Sequence, residues 1–63
     1  MEDQLQAAAH ETAFSSELRL RIADARASLA AAEASGDHLL AQIAESDLAD
    51  LRALAARNDI ATD

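Results

Sequence analysis

A single interruption divides a chain that otherwise favours helix throughout. Gly36 is the only glycine, and no proline occurs in the 63 residues. Glycine accepts the positive φ that often ends a helix, and the absence of proline removes the strongest helix breaker. Eighteen residues are alanine, the best helix former. The pattern therefore predicts an all-α helical hairpin in one domain: a first helix over about 3–34, a loop over 35–37, a second helix over about 38–58 and a frayed tail over 59–63.

The first helix carries one apolar stripe along its length. Its members alternate in steps of four and three, which is the spacing of a seam between two antiparallel helices. They are Leu18, Ile22, Ala25, Leu29 and Ala32. Asp3 is the expected N-cap of this helix. Between Thr12 and Ser16, serine and threonine side chains compete for backbone hydrogen bonds, so a kink or a fresh helix start near Ser15 and Ser16 stays open as an alternative.

The second helix has a wider apolar face than one neighbouring helix covers. Its apolar residues span an arc of about 180° on a helical wheel, so one edge of the arc remains after the other packs on the first helix. A chain of 63 residues is also at the size where a single core gives only marginal stability. We therefore expect self-association, most simply as a dimeric four-helix bundle. The residues expected to mediate it are Phe14, Leu18, Ile22, Leu29, Leu40, Ile43, Leu51 and Leu54.

The charge balance narrows the range of partners. Twelve acidic residues against five basic ones give a net charge of −7. Such a chain is repelled by nucleic-acid phosphates and by anionic lipid, so a basic protein surface is the better match. No apolar run approaches the ~20 residues that span a bilayer, and the N-terminus lacks the features of a signal peptide. We expect a cytoplasmic protein that binds neither membranes nor, by default, nucleic acid.

A second set of residues is expected to contact an external partner. The predicted first helix is longer than the second, so its N-terminal part overhangs the hairpin. Asp47 falls inside the apolar arc of the second helix, where a carboxylate either forms an ion pair across an interface or reaches solvent between two apolar seams. The expected partner contacts are Leu5, Glu11, Glu45, Asp47 and Asp50.

These features favour a protein–protein interaction module over an enzyme. The module would be a small acidic adaptor, a regulator or an antitoxin-like inhibitor of a basic partner. No serine has a histidine and a carboxylate at workable spacing for catalysis. His10 and Glu11 begin like the HExxH zinc motif, but Phe14 occupies the place of its second histidine. We expect no cofactor.

Two alternatives belong to other functional classes. A metal-binding helical bundle would bring four residues together across a dimer interface, namely His10, Glu11, Asp37 and His38. The predicted architecture also resembles that of the Rop-type plasmid regulators, which are hairpins of this length that dimerise as a four-helix bundle and bind RNA on one helical face. That resemblance implies an RNA-binding role for Arg19 and Arg26, which share one face of the first helix.

Overall fold

Residues 12–62 fold as two helices that lie side by side and run in opposite directions. The computed structural model describes residues 12–62. Helix α1 covers Ala13–Ser35 and helix α2 covers His38–Arg57. Gly36 and Asp37 connect the two helices. The predicted all-α helical hairpin is therefore confirmed for the described part of the chain.

The turn at Gly36 closes α1 and opens α2 within two residues. Gly36 has φ +73°, and its N–H donates to the carbonyl oxygen of Glu33 at 3.1 Å. The N–H of Asp37 donates to the carbonyl oxygen of Ala32 at 2.9 Å, which completes a Schellman motif. The Asp37 carboxylate then accepts a hydrogen bond from the N–H of Leu40 at 3.0 Å and caps the start of α2. The predicted role of Gly36 as a left-handed helix terminator is confirmed.

Helix α1 begins later than the sequence pattern predicts. Thr12 has an extended backbone with ψ 165°, and its Oγ1 accepts a hydrogen bond from the N–H of Ser15 at 3.1 Å. A threonine in this conformation is an N-cap, so a helix from residue 3 does not continue through Thr12. Ser15 and Ser16 lie inside the first turn of α1. The hydroxyl-rich stretch is thus a helix start, and the expected N-cap Asp3 lies outside the described residues.

The core is the seam between α1 and α2. Leu18 is 2% exposed and Ala55 is 1% exposed, and alanines in the seam let the two helices approach closely. The predicted stripe of α1 is confirmed, since all its members are buried or half-buried. The remaining buried core residues are Ile22, Ala25 and Ala32 of α1 and Ala44 and Leu48 of α2. Three leucines are half-buried against this core: Leu29, Leu51 and Leu54.

The segment after α2 folds back onto the hairpin. Asp59 has φ +60°, and the N–H of Ile60 donates to the carbonyl oxygen of Ala55 at 2.9 Å. The Ile60 side chain packs against the core. Fraying of residues 59–63 concerns motion and stays a prediction, but Ile60 has specific contacts that a sequence pattern did not indicate.

Candidate functional site

A groove of about 620 Å³ runs along one broad face of the hairpin. We call this side of the molecule the groove face. The wall from α1 consists mainly of small side chains, and the wall from α2 carries larger apolar ones. The α1 wall contains Arg21, Asp24, Ala25, Ser28, Ala31, Ala32 and Ser35. The α2 wall contains Leu40, Ile43, Ala44, Asp47 and Leu51.

The groove exists because only one edge of the apolar arc of α2 packs against α1, and the other edge stays exposed. Ala44, Leu48 and Ala55 occupy the edge that is buried against α1. Leu40 and Ile43 occupy the other edge and are 54% and 56% exposed. Facing them, α1 has serine and alanine, which are too short to cover large side chains across the groove. An exposed apolar surface of this kind is typical of a site that contacts another molecule.

Phe14 does not line the groove, but its position in the helix places it on nearly the same side of α1, toward the open end of the hairpin. It precedes Arg21, Ser28 and Ser35 at seven-residue intervals, which place all four on nearly the same side of α1. Phe14 is 49% exposed in the first turn of α1. On α2, the same spacing relates Leu40 to Asp47. The groove face therefore has an exposed aromatic side chain near one end and exposed aliphatic side chains near the other.

Three charged residues line the groove. Arg21 and Asp24 stand on α1, and Asp47 stands on α2. The Nε of Arg21 lies 3.3 Å from Oε2 of Glu17, and both side chains are well exposed. An exposed ion pair of this kind contributes at most about 1 kcal/mol. Asp47 is exposed, so within one hairpin its carboxylate reaches solvent between two apolar seams; an ion pair across an interface stays a prediction.

The residues expected to mediate self-association fall into two groups. Five of them pack within the hairpin itself: Leu18, Ile22, Leu29, Leu51 and Leu54. Phe14, Leu40 and Ile43 remain exposed. The small groove residues Ser28, Ala31 and Ser35 were not among the residues predicted to mediate self-association. Ser28 and Ser35 follow Phe14 at multiples of seven residues. This spacing could have indicated that they share a side of α1 with Phe14.

The residues expected to contact an external partner are only partly described. Glu45, Asp47 and Asp50 are exposed on α2. Leu5 and Glu11 lie outside the described residues. In the described part of the chain the two helices are of similar length, since α1 has 23 residues and α2 has 20.

The residues of the metal-binding alternative do not form a site within residues 12–62. His38 is the exposed first residue of α2, and Asp37 uses its carboxylate to cap that helix. Within this range no group of three or more histidine, aspartate or glutamate side chains is placed to hold a metal ion. His10 and Glu11 lie outside the described residues, so a metal site that includes them stays a prediction.

The arginines of the RNA-binding alternative lie on the side of α1 away from the groove. The Nε of Arg19 donates to the carbonyl oxygen of Ala61 at 3.0 Å, so this side chain already has a structural role. Arg26 is exposed. RNA binding by this pair stays a prediction.

Comparison with known proteins adds no family to this geometry. Within residues 12–62, neither helix combines the length and apolar character needed to cross a membrane. Searches against protein-family models, curated proteins and solved structures find no match to the chain.

Proposed function

We propose that this protein is a small protein–protein interaction module that self-associates through its groove face into a dimeric four-helix bundle. The observation that carries the proposal is the exposure of Leu40 and Ile43 beside a groove whose other wall is made of small residues. One hairpin supplies two helices of a bundle. A second hairpin laid on the groove face supplies the other two and covers the apolar surface.

The size of the molecule is compatible with such an interface. A stable protein interface takes about 800 Å² from each partner. The accessible surface of this chain is 4807 Å², so the interface would use a modest part of it. Phe14, Leu40 and Ile43 would lose their exposed surface, and burial of a large apolar side chain contributes about 1.5–3 kcal/mol when complete.

The acidic surface is the proposed site for a further partner. Glu45 and Asp50 are exposed and do not line the groove, so a bundle formed through the groove face leaves them accessible. The net charge of −7 favours a basic protein as that partner. An adaptor, a regulator or an antitoxin-like inhibitor is the class of protein that fits these features.

Two neighbouring leucines provide a matched test. Leu39 and Leu40 are both exposed in the first turn of α2, but only Leu40 lines the groove. Leu40→Glu places a charge in the proposed interface, whereas Leu39→Glu places the same charge outside it. We expect Leu40→Glu to be monomeric at concentrations where Leu39→Glu and the unchanged protein are dimeric, as measured by light scattering after size-exclusion chromatography.

Circular dichroism on the same samples separates lost assembly from lost folding. We expect both variants to keep helical spectra. Leu40→Glu should be the less stable of the two against unfolding, because it lacks the stabilisation that dimerisation provides. Equal masses for the two variants would count against the groove face as the interface.

A further inference from the structure

We propose that Asp47 limits the strength of self-association through the groove face, because covering that face buries its carboxylate without a matching cation. This inference rests on the proposed self-association and adds the residue that sets its strength. With the charge of Asp47 removed, the same apolar surface holds two copies together more tightly.

Asp47 lies inside the apolar surface that a second copy covers. Successive residues of a helix are rotated by about 100°, so Asp47 falls between Ile43 and Leu40 around α2. Along α2 it stands one turn after Ile43 and one turn before Leu51, both of which line the groove. Within the single hairpin Asp47 is exposed. Any copy that covers Leu40 and Ile43 therefore also covers Asp47, whichever way its helices run.

The neighbours of Asp47 on α2 offer its carboxylate no cation. The residues three and four positions away, which adjoin it on the helix surface, are Ile43, Ala44, Asp50 and Leu51. Three of them are apolar, and Asp50 carries the same charge as Asp47. A carboxylate moved from water into such surroundings loses solvation, and a cation or hydrogen-bond donors are needed to offset the cost.

The opposite wall of the groove adds a second carboxylate and one guanidinium group. Asp24 and Arg21 line the groove from α1. Asp24 follows Arg21 by three residues, which is the spacing of neighbours on a helix surface. The Nε of Arg21 also lies 3.3 Å from Oε2 of Glu17. Arg21 thus has carboxylates of its own helix to pair with.

Symmetry fixes the charges that the interface contains. A two-fold dimer uses the same patch on both copies, and each patch contributes two carboxylates and one guanidinium group. All five arginines of the chain lie within residues 12–62, the chain has no lysine, and the other four arginines do not line the groove. Even if Arg21 pairs with one groove carboxylate, another is left in each copy without a guanidinium group. Asp47 is the carboxylate that lies between large apolar side chains, so its burial opposes association.

The substitution Asp47→Asn tests this role because it removes the charge and keeps the size of the side chain. Asp50→Asn is the matched control. It makes the same change of net charge three residues away, at an exposed position that does not line the groove. Sedimentation equilibrium over a dilution series gives the dimer dissociation constant of both variants and of the unchanged protein.

We expect Asp47→Asn to lower the dimer dissociation constant by about tenfold, since each dimer buries two such carboxylates. Asp50→Asn should change it by less than about threefold, because the charge that it removes stays in solvent. Circular dichroism on the same samples checks that both variants keep the helices of the unchanged protein.

A dissociation constant for Asp47→Asn that equals or exceeds that of Asp50→Asn would overturn this inference. A larger constant would mean that a cation of the second copy pairs with Asp47. In either case, dimers of the unchanged protein leave the proposed self-association standing. Monomers of all three proteins at every concentration would overturn the self-association and this inference together.

Discussion

The Nε of Arg19 donates a hydrogen bond to the carbonyl oxygen of Ala61 over 3.0 Å, which joins α1 to the segment that follows α2. Next to this contact, Ile60 packs on the core and its N–H bonds back to Ala55. The open end of the hairpin, which has no connecting turn, is therefore tied by the chain beyond α2.

The backbone of Asp59 gives the first prediction. Asp59 has φ +60°, a left-handed conformation that glycine adopts without the steric cost of a Cβ atom. We expect Asp59→Gly to raise the free energy of unfolding by up to about 1 kcal/mol. Urea unfolding followed by circular dichroism, at equal protein concentrations, measures the change. A destabilised Asp59→Gly would mean that the Asp59 side chain has a role that its backbone geometry does not reveal.

Gly36 gives a prediction of opposite sign. Its φ is +73°, and a Cβ atom added there meets no atom within 4 Å, so any cost of alanine comes from the backbone alone. We expect Gly36→Ala to lower the free energy of unfolding by about 1–2 kcal/mol. Gly36→Asn serves as the control, since asparagine tolerates this conformation better and should lose less. If the two variants were equally stable, the turn would have another backbone conformation in solution.

The hydroxyl of Thr12 sets the start of α1 and can be tested on its own. Its Oγ1 accepts the N–H of Ser15, which would otherwise lack a partner in the first turn. We expect Thr12→Ala to cost about 1 kcal/mol, whereas Thr12→Ser retains the oxygen and most of the stability. Thermal unfolding of the three proteins gives the comparison. No difference between alanine and serine would place the helix start elsewhere.

A substitution at Leu18 measures how much the seam between the helices contributes to the free energy of unfolding. It is almost fully buried, so Leu18→Ala removes apolar contacts and leaves a cavity that costs about 2–5 kcal/mol. A loss of this size unfolds much of a chain this small. Leu20→Ala is the matched control two residues away, because Leu20 is 63% exposed and a surface change of this kind costs within about 0.5 kcal/mol. Similar helicity for the two variants at low denaturant would contradict the assigned core.

The sequence was sufficient for the features that depend on local rules. Gly36 is the only glycine and ends α1 with a positive φ, and the four-three spacing from Leu18 onward defines which side of α1 is buried. Both follow from backbone sterics and helical geometry, and both are confirmed. The cap of α2 is equally local, because the carboxylate of Asp37 accepts the N–H of Leu40 three residues later.

The features that the sequence left undetermined depend on competition or on contacts between distant residues. The helical propensity of the residues before Thr12 predicted one long helix, but the extended backbone and cap hydrogen bond of Thr12 begin α1 there. The contact of Arg19 with Ala61 joins residues far apart in the chain and has no local signal. Likewise, the groove combines small residues of α1 with the exposed edge of α2, and only the packing of the two helices brings Ser28 and Ile43 to the same groove.

The mass of the unchanged protein in solution tests the central proposal most directly. Size-exclusion chromatography with light scattering, at two concentrations about tenfold apart, distinguishes a dimer from the 6.6 kDa chain. We expect a species of twice the chain mass at the higher concentration, with the exposed surface of Leu40 and Ile43 buried in its interface. A monomer with full helicity at both concentrations would contradict self-association and show that the hairpin is stable with its groove face open.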